Sequence, residues 1–485
     1  IFIFIINDRY NESIKLKYGK AYYSLGNIYE NGIGVQKNDK KAYEYYKNGA
    51  EIGETSCITS LGRMYENGQY VEENINKAVH WYQMASQKNC PKAQLALGKI
   101  YYYGMSPNHI SSLSNIDKNN RNYQRVEKNF YEAINLFQKS AEQGETEAQV
   151  YLGLCYENGY GVVKDYLMAK MYFEKASKQN DVFGSLYLGK IYMKENNINA
   201  ALNCFLISLS KGSVDALYYI GKLYDKEEEN NNIITSCVDA TSDIGLLKSS
   251  DKNIAIKYYL QAAEKGHSLA QYRLGNHFCL RKQYIIALYW YLKSSHLSKS
   301  QNALGQFYEL GFDNEFNKAA STTGLTIDCL LHYTTEQLFS FYNHYCQLAQ
   351  QNPSPPNQED SKPPTSNLKE AKKWYYRSIV QGNADAAFNL GQLYETRCFD
   401  FASLPKEDDK TTEKEGMTDG NQETSMNGEI SQSLPIHKLT AEEIAEVQSR
   451  YIQKAILLYE KAKKLGSKEA AERLKQLQSI AYHQF

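Results

Sequence analysis

Cys329-x-x-His332 followed by His344-x-Cys346 is the cluster whose residue types come closest to a zinc-ligand set, since thiolates and imidazoles together hold that ion. The spacing fits no standard finger. His344 and Cys346 also stand two residues apart in a stretch that reads as helix, where they point in different directions. We therefore assign no metal. Runs of carboxylates, Glu227-Glu228-Glu229 and Asp408-Asp409, lie in polar stretches without the packed walls that shift a pKa, and read as solvated charge. The chain has no phosphate-binding glycine loop, no H-E-x-x-H and no G-x-S-x-G elbow. Gly32-Ile33-Gly34 and Gly159-Tyr160-Gly161 follow a helical pattern rather than a strand, which makes them turns and not nucleotide loops. The expectation is a chain without catalytic residues, cofactor or enzyme activity.

Composition narrows the partners. The 55 basic and 55 acidic residues cancel, which removes the simplest argument for nucleic acid or an anionic membrane. The nine cysteines are scattered singly with no C-x-x-C pair, as in a reduced compartment. Ile1 to Ile6 is apolar, but a spanning helix needs about 20 such residues. The chain therefore reads as having no membrane span. Localisation is expected to be cytoplasmic, or the endoplasmic-reticulum lumen or membrane if a signal peptide and anchor accompany this chain. Asn11-Glu12-Ser13, a glycosylation sequon, bears on that choice only in the second case.

The elements that position any site form a repeat. Leu-Gly pairs at Gly26, Gly62, Gly98, Gly153, Gly189, Gly275, Gly305 and Gly391, with Ile220-Gly221 as a variant, each sit in an amphipathic helix, called A. A second helix, B, follows each one and is anchored on Ala42, Ala78, Ala133, Ala169, Ala201, Ala255, Ala287, Ala371 and Ala455. Eleven residues past those alanines stand Gly53, Asn89, Gly144, Asn180, Gly212, Gly266, Ser298, Gly382 and Gly466, where a left-handed C-terminal residue is needed. Glycine inside a helix costs roughly 1 kcal/mol relative to alanine. Its return after each Leu or Ile implies close approach of neighbouring helices, and the 42 tyrosines suit the filling of the space between helical hairpins.

From B to the next A the step is 19 residues in eight of nine cases, whereas from A to B it ranges from 13 to 67. A connection of fixed length is packed, and a loop that tolerates dozens of extra residues projects from an edge. The implied organisation is a repeat array over 14–311, with insertions at 105–128 and 226–252. An insertion at 312–368 follows, with one amphipathic helix through Leu338, Phe341, Tyr342, Tyr345 and Leu348 and a Pro-rich linker at Pro353 to Pro364. Repeat helices occupy 369–396, a disordered insertion 397–440, and the last repeat helix with a C-terminal cap 441–485. Thr440 and Glu443 form a capping box for that last helix.

The run Ala148-Gln149-Val150-Tyr151-Leu152-Gly153, then Tyr156, Gly159-Tyr160-Gly161-Val162, Ala169, Tyr172, Ala176 and Asn180 closely resembles the Sel-1-like repeat, a tetratricopeptide-like motif. That resemblance implies an all-α, right-handed superhelical solenoid of about nine helix-turn-helix repeats whose A helices line the concave surface. It also implies a protein-binding scaffold or adaptor. Members of the family include adaptors of endoplasmic-reticulum-associated degradation within a ubiquitin ligase complex, which hold extended or misfolded polypeptide, and regulators of chitin synthase. The alternatives are the regulatory repeat region of a larger enzyme whose catalytic domain lies outside this chain, and a cytosolic assembly factor. On the A helices the variable positions flanking Leu-Gly place Tyr151, Tyr187 and Tyr219 as an aromatic ladder, with Arg63, Lys99, Lys190 and Lys222 beside it. Such a face suits an extended peptide with acidic residues.

Overall fold

The computed structural model describes residues 18–104, 126–225, 249–351, 366–397 and 441–483, and within them all regular structure is α-helix. The chain divides into two compact units, residues 1–223 and 224–485. The first holds α1 (Gly19–Asn31), α2 (Asp39–Glu51), α3 (Thr55–Asn67), α4 (Ile75–Gln87), α5 (Pro91–Tyr103), α6 (Phe130–Glu142), α7 (Thr146–Asn158), α8 (Tyr166–Lys178), α9 (Val182–Lys194), α10 (Ile198–Ser210) and α11 (Val214–Tyr224). The second holds α12 (Ser249–Glu264), α13 (Ser268–Leu280), α14 (Tyr284–Lys293), α15 (Ser298–Glu309), α16 (Asp313–Thr323), α17 (Ile327–His332), α18 (Thr335–Gln351), α19 (Leu368–Val380), α20 (Ala384–Arg397), α21 (Ala441–Lys464) and α22 (Lys468–His483). Among the described residues no helix is long and apolar enough to cross a membrane.

Six of the B helices start on a cap that the chain supplies four residues before the alanine. Asn38, Asn74, Asn129, Asp165, Asn197 and Asn367 accept backbone N–H bonds from the first turns of α2, α4, α6, α8, α10 and α19. The backbone N–H of each of these caps donates to a tyrosine carbonyl at the end of the preceding A helix: Asn38 to Tyr29, Asn74 to Tyr65, Asn129 to Tyr101, Asp165 to Tyr156, Asn197 to Tyr192 and Asn367 to Tyr308, at 2.8 to 2.9 Å. The clip is the same whether the intervening loop is short or carries an insertion. Whatever leaves the repeat must return to that hydrogen bond, so inserted length does not disturb the hairpin.

At the other end of the B helices the left-handed turn is present at Gly53, Asn89, Gly144, Asn180, Gly212, Gly266, Gly382 and Gly466, with φ between 61° and 100°. Ser298 instead opens α15. The fixed 19-residue step joins partners in one core: Ala42 and Tyr46 of α2 pack with Leu61 and Met64 of α3, and Ala133 and Phe137 of α6 with Leu152 and Cys155 of α7.

The A-helix glycines face into their own hairpins. A Cβ on Gly26 would lie 2.3 Å from the Tyr46 ring, on Gly153 2.4 Å from Phe173 and on Gly391 2.7 Å from Tyr459. Gly62, Gly98, Gly189, Gly275 and Gly305 stand in the same way over Tyr82, Phe137, Phe205, Tyr291 and Tyr375. The glycines thus let the two helices of a hairpin approach closely, and the expectation that the rings fill the space between hairpins needs correction: in these eight repeats the ring four residues after the B alanine seats on the glycine of the same repeat. Gly221 is buried in α11.

Among the described residues of 312–368, where one helix was expected, there are three: α16 and α17 precede the α18 that the apolar spacing indicated. Ile1 to Ile6, Asn11, Glu227 to Glu229, the Pro353 to Pro364 run, Asp408-Asp409 and Thr440 of the capping box lie outside the described residues.

Candidate partner-binding face

Tyr151, Tyr187 and Tyr219 occupy the same position on α7, α9 and α11, immediately before the Leu or Ile of the pair. They do not stack on one another. Each lies on the phenylalanine of the preceding B helix: Tyr151 on Phe137 at 4.9 Å between centroids, Tyr187 on Phe173 at 5.3 Å and Tyr219 on Phe205 at 5.4 Å, all within 22° of parallel. These are the phenylalanines that seat on Gly98, Gly153 and Gly189. A glycine, a buried ring and a half-buried tyrosine thus form a three-layer sandwich in three successive repeats. The sequence signal for it is the aromatic residue four after each B alanine.

Lys190, on α9 just past Gly189, sits over two of those tyrosines, with Nζ 4.6 Å from the centroid of Tyr187 and 5.3 Å from that of Tyr219. Burial draws its ammonium below the ordinary lysine range. Glu157 and Asp215 push back and Lys194 adds to the lowering. Burial also raises Tyr187, and pushes Tyr219 up to about 12.

The other cations singled out on the A helices are placed differently. Arg63 donates to Glu30 at 2.6 Å and Lys99 forms an ion pair with Glu147, so both are engaged within the chain. Lys99 also lies 5.6 Å from the Tyr151 ring, whose hydroxyl meets that of Tyr103 at 3.1 Å. Lys222 is in the last turn of α11. The residues that the fold brings together are Tyr187, Lys190 and Tyr219, with Tyr151 one repeat earlier.

The cysteine and histidine cluster is not assembled. Cys329 is exposed on α17, the Nδ1 of His332 meets the Asp328 carbonyl oxygen at 2.7 Å, and Cys346 belongs to α18. Among the described residues no three His, Cys, Asp or Glu side chains lie close enough to hold a metal. Sequence reasoning missed Glu315 of α16, which accepts a bond from the backbone N–H of Tyr284 at 3.2 Å. Burial raises its carboxyl to about 6, against the hydrogen bonds from Tyr284 and Tyr342.

The model of the Sel1 repeat matches residues 19–54, 56–90, 91–113, 123–145, 146–181, 243–267, 268–298, 359–383, 384–397 and 452–467. No curated protein matches the chain. Among solved structures it is similar to c5321, a protective antigen of uropathogenic Escherichia coli strains displaying an SLR fold, at 22% identity and TM-score 0.46 over 97% of this chain and 82% of that one. A Sel1 repeat protein of Oxalobacter formigenes is 25% identical with TM-score 0.39 over 51% and 85% of the two chains. The immunity protein Pa5087 of Pseudomonas aeruginosa is 21% identical with TM-score 0.29 over 50% and 81%. On the family match, which runs through more than half of its residues, the chain belongs to the Sel1 repeat family.

Proposed function

We propose that the chain is a protein-interaction scaffold that holds its partner on the A-helix face of the first unit, across Tyr151, Tyr187 and Tyr219 with Lys190 between the last two. The observation that carries this reading is the sandwich. Three tyrosines fixed on buried phenylalanines present rigid, half-buried rings at one repeating position, and preorganised aromatic side chains bind at low entropic cost. A scaffold of this kind is typically not catalytic, in keeping with the absence of a nucleotide or nucleophile motif in the sequence. Partners are other proteins, bound through extended segments.

The finer reading is an adaptor that feeds polypeptides to a ubiquitin ligase in endoplasmic-reticulum-associated degradation, supported by the repeat resemblance. Proximity labelling in the native cells tests both levels. The intact chain is compared with a variant carrying Tyr187→Ala and Tyr219→Ala, and with Lys190→Glu, which leaves the ring packing in place. Loss of the same neighbours from both variants, with unchanged circular dichroism, supports the face, and a membrane ubiquitin ligase among those neighbours supports the adaptor. Neighbours unchanged by both variants would remove the face from the account.

A further inference from the structure

We propose that Lys190 is the carboxylate anchor of this face, taking an aspartate or glutamate side chain of an extended peptide between the hydroxyls of Tyr187 and Tyr219. The inference rests on the scaffold reading and gives it a partner chemistry.

One ammonium lies over the rings of two phenols, and among the described residues none of the three has an acceptor. Among the described residues Lys190 has no carboxylate within ion-pair distance and neither the Tyr187 nor the Tyr219 hydroxyl has a hydrogen-bond partner; Lys190 meets the two rings. The neighbouring cations differ. Arg63 is paired with Glu30, Lys99 with Glu147, Lys170 with Glu195 and Lys194 with Glu157. An ammonium already stripped of part of its water, with its pKa drawn down by burial, gains more from an incoming carboxylate than a solvated surface lysine does. The phenols, both raised by their surroundings, stay protonated and add two neutral donors.

One departure from the repeat pattern sets the local charge. In five repeats an acid five residues after the Leu or Ile of the A helix accepts the B-helix tyrosine hydroxyl. Glu157 holds that position in α7, but its B-helix ring is Phe173, which has no hydroxyl to give. Glu157 instead accepts from Lys194 at 2.6 Å and reaches Lys190 only by its charge, not by an ion pair. Asp215 also faces Lys190 from α11, close enough to raise its pKa but not within ion-pair distance.

A selection from a random decapeptide display library on the full-length chain tests this. The recovered peptides are expected to be enriched in Asp and Glu. In fluorescence anisotropy, Glu→Gln in the best peptide and Lys190→Gln in the protein should each weaken binding about tenfold, the two together should cost little more than either alone, and Lys211→Gln, an exposed control, should change nothing. Additive losses, or affinity unaffected by Lys190→Gln, overturn the carboxylate anchor. Recovered peptides without acidic enrichment, or enriched in Lys and Arg for Glu157 and Asp215, also overturn it while the scaffold reading stands. Failure to recover any peptide counts against both.

Discussion

The Tyr46 hydroxyl donates to Glu30 at 2.8 Å, sixteen residues back in the chain, and the same carboxylate receives Arg63 from the next repeat at 2.6 Å. The relation returns between Tyr82 and Glu66, Tyr259 and Asp225, Tyr375 and Glu309, and Tyr459 and Glu395. At Glu395 the cation is Arg473 of α22. A phenol thus ties the two helices of a hairpin together, and at Glu30 and Glu395 an arginine ties that hairpin to the next. Where the ring is Phe137 or Phe205 the acid position holds Tyr102 or Met193, and only Glu157 opposite Phe173 keeps an acid without a phenol. Tyr291 lacks an acid and finds Asn276 at 2.9 Å.

Tyr82→Phe removes a hydroxyl from a buried carboxylate and should destabilise the chain by about 1 to 3 kcal/mol, the usual cost of a lost bond to a charged group. Phe137→Tyr places a hydroxyl where no acid waits and should also destabilise. Urea denaturation followed by circular dichroism reads both, and a neutral Tyr82→Phe would show that the bond carries no net stability.

Gly153→Ala would strengthen an exposed helix by about 1 kcal/mol. Here the new Cβ meets the Phe173 ring at 2.4 Å, and the variant should lose roughly 1 to 3 kcal/mol as an overpacked core does. Adding Phe173→Leu should recover part of that loss. A more stable Gly153→Ala in the same denaturation assay would contradict the seating of ring on glycine.

Two carboxyls give opposite pH signatures. Burial would raise Glu30, but hydrogen bonds from Arg63 and Tyr46 and the Arg63 charge outweigh it and hold the carboxyl below its ordinary value of 4.5. Its contribution is complete above that pH and is lost as pH falls through the lowered value. Glu315, raised to about 6 by burial, binds its proton more tightly folded than unfolded, so its contribution is present below pH 4.5 and is lost as pH rises through 6. Denaturation midpoints between pH 3 and pH 7 should show a shallower acid decline in Glu30→Gln and no decline from about 4.5 to 6 attributable to position 315 in Glu315→Gln. Curves identical to the unmodified chain would remove the corresponding assignment.

Burial pushes the Cys57 and Cys155 thiols up to about 12, whereas Cys329 is exposed. Thiolate is the reacting form. Iodoacetamide mapped by mass spectrometry should label Cys329 well before either buried cysteine; equal labelling in the native state would contradict the core assignment.

The helical hairpins and the left-handed turns at Gly53 to Gly466 were legible because each follows from local spacing. The seat of Phe173 on Gly153 was less so, since the sequence shows that a glycine recurs but not which of several aromatic neighbours covers it. Arg63 read as a surface cation because its partner, Glu30, lies 33 residues away in another hairpin. The Asn and Asp caps four residues before the B alanines, and the pairing of a tyrosine with an acid, were written in the chain at constant spacing but emerge only when both positions are compared across repeats. The helices α16 and α17 follow no repeat, so periodicity offered nothing to find them by.

The central claim is that the Tyr187 and Tyr219 face is where a protein partner rests. Photo-crosslinking from p-benzoylphenylalanine introduced at Tyr219, compared with the same group at Tyr131, an exposed ring of α6 away from the sandwich positions, addresses it most directly. The account predicts a discrete crosslinked partner from position 219 that is absent from position 131 and disappears with Lys190→Glu. Partners captured from position 131 alone, or equally from both positions, would contradict it.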